Sequence, residues 1–171
     1  DSIISKAKSI NKDNSLLNCR INGFDNNKPD VIIVDRNLRL KKKLKMFKLN
    51  NRKIYILTSS NNKKKISYFK KNKIKIIKIS KLVTRDDFNS IFKKLFKIGK
   101  RRILVESGLI FLTKLIRFKM INDLFLFKSN NRLNSFGYNN KRPSIISNLK
   151  LKRKINFNLS GNELYKIRIN W

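Results

Sequence analysis

The sequence predicts an α/β fold, and three observations carry the expectation. Short, β-branched, apolar runs recur at residues 31–35, 53–58, 74–79 and 102–106. Segments with helical spacing follow at residues 84–98 and 109–118. The resulting order, β-β-β-α-β-α, requires crossover helices on a mostly parallel sheet. At 171 residues and 40% apolar content the chain is long enough to bury a core. Residues 1–171 read as a single domain with no internal repeat and no linker.

The first run, Val31-Ile32-Ile33-Val34-Asp35, follows Pro29 and is a buried strand ended by an acid. Residues 53–58 are a second strand of the same kind. Residues 74–79 are a third, reached through a polar run at 59–65 and a short basic stretch. Thr84 then caps a helix, with Asp87 three residues on as a capping-box variant and Asp86 in the first turn, where the helix dipole favours acids. Phe88, Ile91, Phe92, Leu95 and Ile98 repeat at helical spacing, and Gly99 is the stop. Residues 102–106 form the next strand, Ser107-Gly108 a tight turn, and residues 109–118 a strongly apolar helix. Leu124 opens another strand, through Phe127, before a basic, Asn-rich loop. Residues 154–159 and 164–169 alternate with period two around Ser160-Gly161-Asn162-Glu163, an antiparallel hairpin at a sheet edge.

Charge points elsewhere. There are 43 basic residues against 10 acidic ones, a net +33, which by itself suggests nucleic acid or an anionic surface. The basic residues recur along the whole chain, interleaved with Asn and Ile. A general bias toward Lys, Asn and Ile produces this pattern, and so does an RNA-binding surface. No KH-type Gly-x-x-Gly loop or basic heptad helix supports the second source. Cys19 is the only cysteine and histidine is absent. Disulfide frameworks, Cys/His zinc sites and His-based triads are therefore excluded, and no metal is expected. No stretch reaches the roughly 18 unbroken apolar residues of a membrane span. No signal-peptide pattern opens the sequence. The expected setting is reducing and cytoplasmic, away from membranes.

Ligands of open α/β sheets bind at the carboxyl ends of strands. Glu106-Ser107-Gly108 stands at one such end, where small residues let backbone amides approach a phosphate; the same turn also serves as a purely structural connection. Asp35 stands at another, as a strand-end cap or a ligand contact. The polar stretch Asp13 to Arg20 ends in an Arg suited to a phosphate, or simply to solvent.

The order of these pieces resembles the reductase half of the bifunctional riboflavin-biosynthesis deaminase/reductase. Asp1-Ser2-Ile3-Ile4 and the stretch from Ser9 to Arg20 look like that family's short strand leading to a Thr-x-x-x-Asp-Asp-Pro-x-Leu-x-x-Arg run. Pro29, Asp35 and Leu38-Arg39-Leu40 resemble its next block. Leu104-Val105-Glu106-Ser107-Gly108 resembles its Val-Glu-Gly-Gly block, and Asn122-Asp123-Leu124 its Val-Asp-Glu strand entry.

The resemblance implies a dihydrofolate-reductase-like fold: a mixed, mostly parallel sheet with flanking helices and a C-terminal antiparallel hairpin. It implies NADPH as cofactor and a phosphorylated aminopyrimidine as substrate, whose ribosyl group is reduced to ribityl. Carried over by position, Ser9, Asp13, Arg36, Gly108, Leu109, Ile110, Phe111, Leu112, Thr113 and Lys114 contact NADPH. Leu17, Arg20 and Glu106 face the substrate, with Arg20 on the phosphate. No catalytic residue is assigned. Ser9 replaces Thr, Asn14 and Ser15 replace Asp and Pro, Ser107 replaces Gly or Ala, and Arg36 stands where a small residue is common, so its backbone rather than its side chain is the expected contact. The family domain has a further strand and helix ahead of the segment matched by Asp1, so the chain is expected to be N-terminally incomplete. A covalently linked N-terminal zinc deaminase domain in the full-length protein and a homodimer are also expected. Two other readings remain: a basic nucleic-acid-binding protein, and a degenerate paralogue that keeps the fold without the chemistry. On the reductase reading, nucleic acid is bound only non-specifically.

Overall fold

A computed structural model describes residues 1–19, 23, 28–129, 151, 154–156 and 161–169. The chain forms two compact units, Asp1–Gly108 and Leu109–Trp171. The first holds β1 (Ser2–Lys6), α1 (Ala7–Asp13), β2 (Asp30–Val34), a 3-10 turn at Lys45–Lys48, β3 (Ile54–Thr58), α2 (Lys63–Lys71), β4 (Lys75–Lys78), α3 (Arg85–Lys97) and β5 (Ile103–Val105). Its five strands are all parallel, in the order β4-β3-β2-β1-β5.

Strands covered on both faces must be apolar at every position, and β2 and β3 are buried almost throughout. Register sorts their side chains. Ile3 aligns with Val31, Val31 with Ile54, and Ile56 with Ile76, all on one face. That face packs against Ala7 and Ile10 of α1 and Phe69 of α2. Phe88, Ile91 and Leu95 of α3 are buried outside this cluster. Right-handed crossovers give the same division. The steps β1 to β2 and β3 to β4 run one way along the sheet and β4 to β5 runs back, so α3 covers the opposite face.

Two helices, α1 and α2, stand where the sequence reading assigns no element. In α1 only Ala7 and Ile10 are buried, one i,i+3 pair in seven residues, too short a period to separate from a polar stretch. In α2 the apolar signal is Ile66 and Phe69 among five lysines, although Asn62 caps it, its Oδ1 accepting from the Lys65 amide at 3.0 Å. A parallel pair cannot be joined without a crossover, so β3 and β4 demand α2. The helix at α3 is as expected. Thr84 and Asp87 form a reciprocal capping box. Gly99, at φ +83, closes it with the Gly99 amide on Phe96 O and the Lys100 amide on Leu95 O.

The second unit contains α4 (Leu109–Arg117), β6 (Asp123–Lys128), β7 (Lys154–Ile155) and β8 (Glu163–Arg168). Its strands form an antiparallel sheet in the order β6-β8-β7. The expected hairpin is present as β7 and β8, with β7 at the edge and β8 central. Residues 157–160 lie outside the described set. Glu163 anchors this sheet. Its carboxylate accepts from Lys154 Nζ at 2.8 Å, Tyr165 Oη at 2.9 Å and Lys128 Nζ at 3.3 Å, which hold its pKa down at about 2.

Candidate functional site

The chain enters its sheet at β1, builds outward to β4, then returns to add β5 on the other side of β1. The carboxyl ends of the neighbours β1 and β5, with that of β2, therefore lie side by side at one edge of the parallel sheet, the edge at which ligands of open α/β sheets bind. Three segments converge there. Strand β1 ends at Lys6 and runs directly into α1, β2 ends at Asp35 and Arg36, and β5 ends at Glu106, Ser107 and Gly108. The β5 segment is pinned to β1 by the Glu106 amide, which donates to Ile4 O at 3.0 Å.

Glu106 is exposed at this edge. Ser107 is half-buried, and its Oγ is buried with no hydrogen-bond partner among the described residues. A buried hydroxyl left unpaired costs about 1–3 kcal/mol, which a polar ligand group at this position would relieve. A Cβ at Gly108 would meet nothing within 4 Å, so the packing of the described residues does not require glycine. Together the carboxylate, the hydroxyl and the open backbone can bind and orient a polar ligand. Ser9 is half-buried and Asp13 exposed on α1.

Asp35 is a cap. Its carboxylate accepts from the Arg39 amide at 2.9 Å and the Leu40 amide at 2.7 Å, and it is buried. The Arg36 side chain is exposed, and its carbonyl already accepts from Thr58 Oγ1 at 2.9 Å, Ser59 Oγ at 3.1 Å and the Ser59 amide at 3.1 Å. Leu17, expected to face substrate, packs in the core cluster instead, with φ +50. Arg20 lies outside the described residues.

Positioning residues appear that the sequence did not single out. Arg52 donates through Nη1 to Leu17 O and through Nη2 to Met46 O, each at 3.1 Å. Burial lowers its pKa from the ordinary arginine value, and Asp30 opposes the shift. Asn14, at φ +45, accepts from the Lys45 amide at 3.0 Å, and Asn11 bridges Arg39 O and the Lys41 amide. These contacts fix the segment after α1 against the β2–β3 connection across about thirty residues, a span over which local pattern carries no signal.

In the second unit, Leu109, Leu112, Thr113 and Lys114 are half-buried, Ile110 is exposed and Phe111 is buried. Thr113 Oγ1 is buried and has no hydrogen-bond partner among the described residues. Within the described residues no group of three or more His, Cys, Asp or Glu could hold a metal ion, and no helix is long and apolar enough to cross a membrane.

Residues 1–129 match the model of the RibD C-terminal domain. Among solved structures, the chain is similar to RibD of Acinetobacter baumannii, with a TM-score of 0.71 and 15% identity over 98% of this chain and 46% of that one. It is similar to the diaminohydroxyphosphoribosylaminopyrimidine deaminase/5-amino-6-(5-phosphoribosylamino)uracil reductase of Thermotoga maritima, with a TM-score of 0.70 and 19% identity over 98% and 44%. A pyrimidine reductase-like protein of Corynebacterium diphtheriae gives a TM-score of 0.70 and 13% identity over 100% and 76%. The chain thus spans less than half the length of the RibD structures, and at these identities the likeness shows the fold. No curated protein matches it significantly.

Proposed function

Since the chain belongs to the RibD C-terminal domain family, we propose that it is an NADPH-dependent reductase of riboflavin biosynthesis. Its substrate would be 5-amino-6-(5-phosphoribosylamino)uracil, with the ribosyl group reduced to ribityl. The observation that carries the reading is the sheet edge at the carboxyl ends of β1 and β5, where the unpaired Ser107 Oγ and the open backbone at Gly108 stand beside Glu106. When bound, the dinucleotide supplies a hydride to the sugar C1. Ser9, Asp13 and Arg36, with Gly108 and the segment Leu109, Ile110, Phe111, Leu112, Thr113 and Lys114, are the residues assigned to hold it. Arg36 would act through its exposed side chain instead of the expected backbone, since its carbonyl already accepts three hydrogen bonds, and Phe111 through its backbone. The abundant Lys and Arg favour a cofactor carrying a 2′-phosphate.

Glu106 accepts hydrogen bonds from the pyrimidine or ribose, and Arg20 pairs with the substrate phosphate. A homodimer, a linked N-terminal deaminase domain and a cytoplasmic setting belong to the same proposal.

Turnover and cofactor affinity in the complete protein test it. NADPH should bind more tightly than NADH at matched ionic strength. Glu106→Gln should keep the melting temperature and NADPH affinity while lowering kcat/KM about tenfold or more, since one charged hydrogen bond contributes about 1.5–3 kcal/mol and 1.4 kcal/mol is a decade. Equal or tighter NADH binding, or wild-type turnover in the variant, contradicts the reading.

A further inference from the structure

The charge of this chain is unevenly placed. Between Asp35 and Asp86 there is no Asp or Glu, whereas nineteen residues are Lys or Arg. An even spread of the ten acids would put about three in a stretch of that length.

The fold gathers much of that stretch on one surface. Helix α2 and residues 41–48 cover the same core cluster and are tied to each other. Tyr68 Oη donates to Lys42 O at 3.2 Å, Lys65 Nζ donates to Leu38 O at 2.8 Å, and the rings of Phe47 and Phe69 meet edge-on at 6.2 Å. Lys63, Lys64, Lys70 and Lys71 of α2 are exposed beside the exposed lysines of residues 41–48. Among the described residues, ion pairs join Lys100 to Asp30, Lys128 and Lys154 to Glu163, and Lys166 to Asp123. None involves a cation between Asp35 and Asp86. The Nζ of Lys65 and that of Lys78 are held by neutral oxygens, which leave the charge uncompensated. Lys63 and Lys64 also stand in the first turn of α2, which has no acid, where the helix dipole disfavours cations.

We propose that this surface, α2 with residues 41–48, binds the phosphate backbone of nucleic acid. A membrane-binding face would need large apolar side chains to insert. The exposed large hydrophobics of the described residues, Val83, Phe96, Ile98, Leu104, Ile110, Phe125, Phe127 and Leu151, all lie elsewhere in the chain. The cations of α2 are lysines, point charges suited to phosphate rather than the planar forks that read base edges. Binding is therefore independent of sequence.

A labelled mixed-sequence single-stranded RNA, titrated at several salt concentrations, tests this against two quadruple variants. One carries Lys63→Gln, Lys64→Gln, Lys70→Gln and Lys71→Gln. The other carries Arg85→Gln, Lys93→Gln, Lys94→Gln and Lys97→Gln on α3, the opposite face of the sheet, and removes the same charge. The α2 variant should bind at least tenfold more weakly, with the slope of log K against log salt reduced by up to about 3, at roughly 0.7 per phosphate contact on a single strand. The α3 variant should change affinity less than threefold. Equal losses in both would mean that net charge alone governs binding and would overturn the proposal. So would no binding by the wild type, or tighter α2-dependent binding to phosphatidylserine vesicles than to RNA. Should the α2 quadruple variant fail to fold, the pairs Lys63→Gln/Lys64→Gln and Lys70→Gln/Lys71→Gln carry the same test, each with half the slope change.

Discussion

The Asp35 carboxylate accepts two backbone amides five residues or fewer away, and it is buried while doing so. Those bonds start the long β2–β3 connection, whose Leu38, Leu40, Leu44 and Met46 fill the core. Asp35→Ala would leave both amides without their acceptor. The expected loss is about 1–3 kcal/mol, read as a lower denaturant midpoint at unchanged m-value; a midpoint within error of wild type would mean that the carboxylate does not hold the connection. The sequence showed an acid at a strand end, which suits a cap and a ligand contact equally, and only its two partners decide between them. Leu17 shows the opposite difficulty. Its place in a family run suggested a substrate contact, but its side chain is in the core and its carbonyl is held by Arg52. Nothing near residue 17 in the sequence announces a partner at residue 52.

Helix α3 was legible because its signals are local. Thr84, Asp87 and Gly99 each act within a few residues of their own position, and a buried Phe88, Ile91 and Leu95 stripe lies between them. The Asp87 carboxylate accepts from the Thr84 and Val83 amides, and these bonds lower its pKa from 3.8 to about 2. A depressed acid contributes stability above its unfolded pKa and loses it as pH falls through the folded value. Wild type should therefore exceed Asp87→Asn in stability by a constant margin above about pH 4, narrowing between about 4 and 2. Chemical denaturation of both proteins across that range measures it, and a margin independent of pH would contradict the ionic cap. Helices α1 and α2 were not legible for a related reason. Each buries one or two side chains, and tertiary packing on the sheet stabilises what propensity alone leaves marginal.

At the scale of the whole molecule, fold class and family were legible because geometry constrains a few collinear positions whatever the surface composition. The chain has an acid after β2, the Glu106-Ser107-Gly108 exit from β5 and the capped α3, and its identity to the Acinetobacter, Thermotoga and Corynebacterium structures is only 13–19%. Charge looks evenly spread because lysines are everywhere; the fold gathers those of α2 and residues 41–48 over one core cluster. Strand order was not legible, since pairing β1 between β2 and β5 depends on contacts across the whole first unit. That order sets the carboxyl ends of β1 and β5 side by side, where the proposed site lies. Amide chemical-shift mapping during an NADPH titration at fixed ionic strength tests it most directly. The largest shifts should fall at Ser9, Glu106, Ser107 and Gly108 and saturate together; saturable shifts confined to α2 and residues 41–48 would place the dinucleotide on the basic surface and contradict a site at the sheet edge.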